Sequence, residues 1–196
     1  MTTARLEAFS DGVFAVIITI MVLELKVPHG TDWQALRPLT PVFLTYVLSF
    51  VFLGIYWNNH HHMMHITERV TGGIMWANLH LLFWLSLTPF VTAWMGENHF
   101  APLPTAVYGG VLLCAAVAYT ILQTVIIRDE GPHSRLAVAV KKDVKSKLSL
   151  ALYATAIPFA FVNQWISDAL YASVALIWLV PDPRIEKTVD RHEGSG

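Results

Sequence analysis

Charged residues are scarce. Asp, Glu, Lys and Arg make up 14% of the 196 residues, and the formal net charge is −1. Soluble domains carry about a quarter charged residues. The deficit argues against a cytosolic globular domain and against intrinsic disorder. No basic excess is available to hold nucleic acid. A single cysteine, Cys114, excludes an intramolecular disulfide and a cysteine-built zinc cage. It lies in an apolar run, where a thiol behaves as a small hydrophobe. Neither a nucleophile motif nor a phosphate-binding glycine loop is present, so no enzymatic activity and no cofactor are expected. The first apolar stretch lacks the basic start and small-residue end of a secretory leader. It carries Asp11 and Glu24, and reads as a retained helix. No internal repeat is visible.

What is abundant is apolar sequence: 55% of residues are hydrophobic, with a mean hydropathy of +0.50. About 20 apolar residues cross a bilayer as a helix. Six stretches qualify, at about 6–25, 40–57, 73–95, 105–127, 148–162 and 165–180. They predict an all-α membrane protein with one six-span domain over residues 1–183 and a polar tail over 184–196. The last two stretches are short. Lys145 and Lys147 can snorkel to extend the fifth, and a re-entrant hairpin is the alternative there.

Lys and Arg set orientation. With both termini cytoplasmic, the inner side holds 11 of the 13 basic residues: Arg5, Arg69, Arg128, Arg135, Lys141, Lys142, Lys145, Lys147, Arg184, Lys187 and Arg191. Only Lys26 and Arg37 fall outside. The expected location is the cell's inner membrane. The 128–147 segment places Leu136, Val140, Val144 and Leu148 at i, i+4 spacing with lysines between, as in an amphipathic helix on the inner surface touching anionic lipid. Pro181 and Pro183 stop the last helix.

The first span carries the unusual chemistry. Asp11 lies inside it, and an ionisable residue in an apolar span is costly and needs a partner. At about 100° per residue, Val16, Ile20 and Leu23 share one stripe, with Thr19 at its edge and Phe9 and Gly12 continuing it inward. Ser10 and Asp11 point away from that stripe, into the bundle. Arg5 and Asp11 are six residues apart and cannot meet on one helix. The third span offers Asn78 and His80, and Trp57, Trp76 and Trp84 offer indole N–H groups. The expected polar network is Arg5, Phe9, Ser10, Asp11, Asn78 and His80. It serves either as polar glue that fixes helix register or in ion passage and protonation.

The run Arg5-x-x-x-Phe9-Ser10-Asp11-Gly12, followed by Val-Phe-Ala-Val-Ile-Ile-Thr, resembles the first-helix motif of the bacterial relatives of the lysosomal potassium channel transmembrane protein 175. Tyr56-Trp57-x-x-His60-His61 resembles that family too, as does Asn78-Leu79-His80-Leu81-Leu82 leading to Pro89-Phe90. The resemblance implies a potassium-permeable cation channel, assembled as a homotetramer with the first helices lining the pore. It implies that the main hydrophobic constriction falls on Val16, with Thr19, Ile20 and Leu23 as further pore-lining positions. Several relatives carry Ile or Leu at the constriction. Val16 is shorter, which implies a wider or less strictly dry closed neck. A ring of aliphatic side chains gates by dewetting, because an ion cannot cross a dry neck unhydrated. No Thr-Val-Gly-Tyr-Gly filter is present, so preference for potassium over sodium should be weak to moderate. Four copies of Glu24 near the outer end could attract cations, with a packing or loop contact as the alternative.

Other clusters have simpler readings. His61 and His65 stand i, i+4 in the run His60, His61, His62 and His65, a workable zinc pair with Glu68 nearest as a third ligand. No full ligand set is evident, and an interfacial helix end explains the run as well. Trp33, Trp57, Trp94 and Trp165 mark span ends, as aromatic belts do. Two rival functions remain at this stage: a transporter with a midplane substrate site, for which Pro89 and Pro158 could break helices, and a membrane metalloprotein using the inner histidines.

Overall fold

The computed structural model describes residues 2–140 and 144–179. Lys141, Lys142, Val180 and the 184–196 tail, all invoked above, lie outside the described residues. Helix α1 covers Thr3–Leu23. A short helix α2, Trp33–Leu36, is capped by Asp32, whose Oδ1 accepts from the Ala35 N–H at 3.0 Å. A 3-10 turn, Arg37–Leu39, leads directly into α3, Thr40–Ile66. Pro41 sits in the first turn of α3, where its missing N–H costs nothing. Helices α4, Gly72–Ser86, and α5, Thr88–Glu97, form one bent span. The bend falls at Leu87, beside Pro89, which cannot donate to the helical ladder. Helix α6 covers Pro102–Glu130 and ends at Gly131, whose φ of +100° only glycine adopts without strain. Helices α7, Arg135–Val140, α8, Val144–Phe159, and α9, Gln164–Leu179, complete the described chain.

Every one of these elements is helical, as a chain deprived of water partners for its backbone must be. Four segments are long and apolar enough to cross a membrane: Thr3–Leu23, Trp33–Ile66, Gly72–Glu97 and Pro102–Glu130. At about 1.5 Å per residue, the 16-residue helices α8 and α9 each reach only about 24 Å.

Two departures from the sequence reading have clear causes. The second helix runs through Ile66 and not to Trp57, so the histidine run is helical. It stops at Thr67, whose backbone turns to the extended region while its hydroxyl donates to the Met63 carbonyl at 2.8 Å. The expected surface helix over 128–147 is also divided. Helix α6 keeps its pattern to Glu130, Leu136 is buried, and Val140 packs against the core; only Val144 and Leu148 face outward.

The core has two halves. One joins α1, the inner part of α3, α4, α6 and Leu136. The other joins Phe52 of α3 with α5, α6, α8 and α9. Glycines set two close approaches. A Cβ on Gly96 would stand 2.7 Å from the Val42 backbone, and one on Gly109 would stand 1.9 Å from the Tyr171 hydroxyl. Hydroxyls then knit the helices across the seam. Ser49 meets Thr92 at 2.7 Å and Tyr108 at 3.0 Å, linking α3, α5 and α6.

Candidate functional site

Helix α1 has two unlike faces. Leu6, Ser10, Phe14, Ile17 and Met21 are buried, at i, i+3 and i+4 steps. The opposite face carries Arg5, Phe9, Gly12, Val16, Thr19, Ile20 and Leu23, all exposed on the single chain. Val16 is 56% and Leu23 76% exposed. Thr19 Oγ1 donates to the Ala15 carbonyl at 2.7 Å. Its hydrogen is therefore committed to the helix, and an oxygen lone pair remains on the outward face.

The buried face is fixed by a polarised chain of hydrogen bonds. Ser10 Oγ donates to the Leu6 carbonyl at 2.9 Å. Asn78 Nδ2 donates to Ser10 Oγ at 3.0 Å. Asn78 Oδ1 then accepts from His60 Nε2 at 2.7 Å. This order makes Nε2 the protonated ring nitrogen. His60 Nδ1 is left buried and without a partner. All three side chains are wholly inaccessible to solvent. Phe14 packs on the His60 ring, with centroids 5.9 Å apart.

A second set borders α3. Trp57 Nε1 donates to Asp11 Oδ1 at 2.9 Å. One turn nearer the N-terminus of α1 and the C-terminus of α3, His61 Nδ1 meets Glu7 Oε1 at 2.6 Å. The Trp57, His61 and His65 rings stack in sequence along α3 at centroid spacings of 6.1 and 6.3 Å. Two carboxylates of α1 thus face a ladder of aromatic rings at matching i, i+4 steps.

The structure brings Ser10 and Asn78 together and corrects the rest of the expected network. His80 is exposed on the outer side of α4, where its Nε2 accepts from Trp84 Nε1 at 3.0 Å. At two residues from Asn78 on a helix, it points elsewhere. His60 takes the place assigned to it. Asp11 is partnered by Trp57 and not by the third span. Arg5 and Phe9 lie on the exposed face; the Arg5 guanidinium forms no ion pair among the described residues. Glu24 is exposed at the end of α1 and lines an open cleft of about 670 Å³ with Lys26, Phe43, Glu97 and His99. Lys26 pairs with Glu97 across that cleft. The Glu97 hydrogen bond raises the Lys26 ammonium above its ordinary pKa. Among the described residues, no three His, Cys, Asp or Glu side chains converge in an arrangement able to hold a metal ion.

Known proteins resemble this chain in both sequence and fold. Residues 5–89 match the family described as endosomal/lysosomal potassium channel TMEM175. That segment contains every side chain of both hydrogen-bonded sets. A potassium channel of Chryseobacterium sp. (strain P1-3) is 55% identical over 192 residues, covering 98% of this chain and 100% of its own. One from Streptomyces collinus is 32% identical over 187 residues, covering 90% of this chain and 91% of its own. The crystal structure of a lysosomal potassium-selective channel TMEM175 homolog from Chamaesiphon minutus superposes with a TM-score of 0.79. It is 29% identical, covering 91% of this chain and 96% of that one.

Proposed function

This chain belongs to the TMEM175 family and is a potassium channel, and on that footing we propose that four copies assemble around α1 to form its pore. The carrying observation is the division of α1. One face is bonded to α3 and α4 through side-chain hydrogen bonds, while the other leaves an apolar stripe uncovered. Association around a central axis gives that stripe a common purpose in all four subunits.

Val16 supplies the narrowest layer. Ile20 and Leu23 supply further aliphatic rings toward the outer end. Water leaves such a neck when it closes, and a cation cannot follow without its hydration shell. Between these rings the Thr19 oxygens offer lone pairs to a partly dehydrated ion. Four hydroxyls are a weaker discriminator than a carbonyl-lined filter, so selectivity for potassium over sodium is weak to moderate. The α8–α9 hairpin completes six spans, with both termini cytoplasmic in the cell's inner membrane. The basic residues on the inner side meet anionic lipid.

The test is Val16→Asn in a reconstituted bilayer, with the mass of the detergent-solubilised assembly measured in parallel. A polar ring keeps the neck wet, so conductance rises in tetramers of unchanged mass. Unchanged current in intact tetramers would remove Val16 from the role. A reversal potential measured between potassium and sodium solutions reads the selectivity directly.

A further inference from the structure

Asp168 has no place in the conduction scheme. It lies in the second turn of α9. Both carboxylate oxygens are closed off from solvent, and neither has a hydrogen-bond partner. Thr105 of α6 is wholly buried, and its Oγ1 is likewise without a partner.

The two residues border the same seam. The Trp165 ring packs on Phe100, just before α6, with centroids 5.4 Å apart. Six residues on, the Tyr171 hydroxyl donates to the Thr105 carbonyl at 3.1 Å. Asp168 stands three residues before Tyr171, on the same side of α9, and so faces α6, whose first turn begins at Pro102. That turn has little to offer a carboxylate. Pro102 and Pro104 have no N–H, and the Thr105 N–H already donates to the Ala101 carbonyl.

No cation answers the charge either. Among the described residues no Lys, Arg or His forms an ion pair with Asp168. The stretches 98–104 and 163–168 hold His99 as their only basic side chain, and it is exposed. From α6 the titratable neighbour is Tyr108; on α9 it is Tyr171; from α8 it is Tyr153, whose ring lies 6.3 Å from that of Tyr171. None of these supplies positive charge. An ionised carboxylate without partners in such a seam costs several kcal/mol, on the order of the penalty for any buried lone ion. A proton removes that cost and needs no cavity, unlike a metal ion with its shell of oxygens.

We propose that Asp168 is a proton-binding site, held as the neutral acid in the α6–α9 seam. Releasing the proton places a bare negative charge between the two helices. Water or a cation must then enter, and α9 loosens from α6. The folded chain keeps a proton that the unfolded chain gives up. The sign follows: stability contributed by this site is present in acid and falls as pH rises.

The experiment uses the full-length assembly in detergent. Wild type should melt at progressively lower temperature as pH rises, and Asp168→Asn should abolish that fall while melting at or above wild type in alkali. Thr105→Val keeps the carboxyl and should keep the fall. Infrared spectra of wild type should contain the carbonyl stretch of a protonated acid, absent from Asp168→Asn. If the Asn variant does not fold, the wild-type spectrum alone decides, since absence of the band in acid and at neutrality refutes the assignment. A wild-type pH profile retained in Asp168→Asn also overturns it. So does saturable stabilisation of wild type by potassium or sodium, relative to a bulky organic cation, that the variant loses.

Discussion

Asn78→Leu tests whether the buried bonds to α1 are worth what their geometry implies. Asn78 makes two bonds, to Ser10 at 3.0 Å and to His60 at 2.7 Å. A side-chain hydrogen bond between membrane helices contributes on average about 0.6 kcal/mol. Two lost bonds therefore account for roughly 1 kcal/mol. The larger loss is at His60. Its Nδ1 is already without a partner, so removing Asn78 leaves a wholly buried ring with neither nitrogen bonded. An orphaned buried group costs about 1–3 kcal/mol. The expected destabilisation is about 2–4 kcal/mol. Ser10→Ala should cost somewhat less, about 1–3 kcal/mol, because it leaves one amide hydrogen without a partner but removes only one of the two interhelical bonds. The decisive variant is the double change Asn78→Leu with His60→Phe. It leaves Ser10 satisfied by the Leu6 carbonyl and keeps an aromatic ring against Phe14. It should be more stable than Asn78→Leu alone. Denaturant-driven unfolding in detergent, followed by circular dichroism, supplies the cycle. Additive effects, or a larger cost for Ser10→Ala than for Asn78→Leu, would refute the reasoning.

Three further outcomes follow from the same geometry. Trp57→Phe should destabilise by about 1–3 kcal/mol, since it strips the indole hydrogen from Asp11 inside the span; thermal melting reads it, and Asp11→Asn in the same background should recover part of the loss. Gly96→Ala and Gly109→Ala should both impair folding, because the added carbon meets the Val42 backbone in one case and the buried Tyr171 ring and hydroxyl in the other, whereas Gly12→Ala meets nothing within 4 Å on its own chain. On the proposed assembly, a yield or conductance defect in Gly12→Ala with normal secondary structure is the mark of crowding between subunits. Lys26→Met should leave the melting temperature unchanged at physiological salt, because both ends of the Glu97 bridge are open to solvent.

Periodicity and length made most of α1 legible in advance. The polar and aliphatic faces lie where a spacing of about 100° per residue puts them. The Ser10–Asn78 contact was legible as well, since both are polar groups inside apolar runs. The choice between His60 and His80 was not. His80 looked deeper because it is flanked by leucines, and His60 looked interfacial because three more histidines accompany it. The structure continues α3 for nine residues past Trp57, which carries His60 into the core at 0% exposure. Helix length is set here by tertiary packing, to which composition is blind. The Asp11–Trp57 pair needed two helices to be in register, a fact no single-helix pattern contains. Gly96 and Gly109 gave no local sign either. Their role comes from what crosses them, Val42 and Tyr171.

The one-sided anchoring of α1 limits how its outward stripe can move. Turning the helix about its own axis by one residue, about 100°, would pull Ser10 from Asn78 and Asp11 from Trp57 together. Sliding it by a single turn would break the same contacts. Helix α1 is therefore a stave bolted to the two helices behind it, and in the proposed assembly any dilation has to tilt α1, α3 and α4 as one plank. A stimulus acting far from the axis, on either supporting helix, would in this way reach the centre without ever touching it.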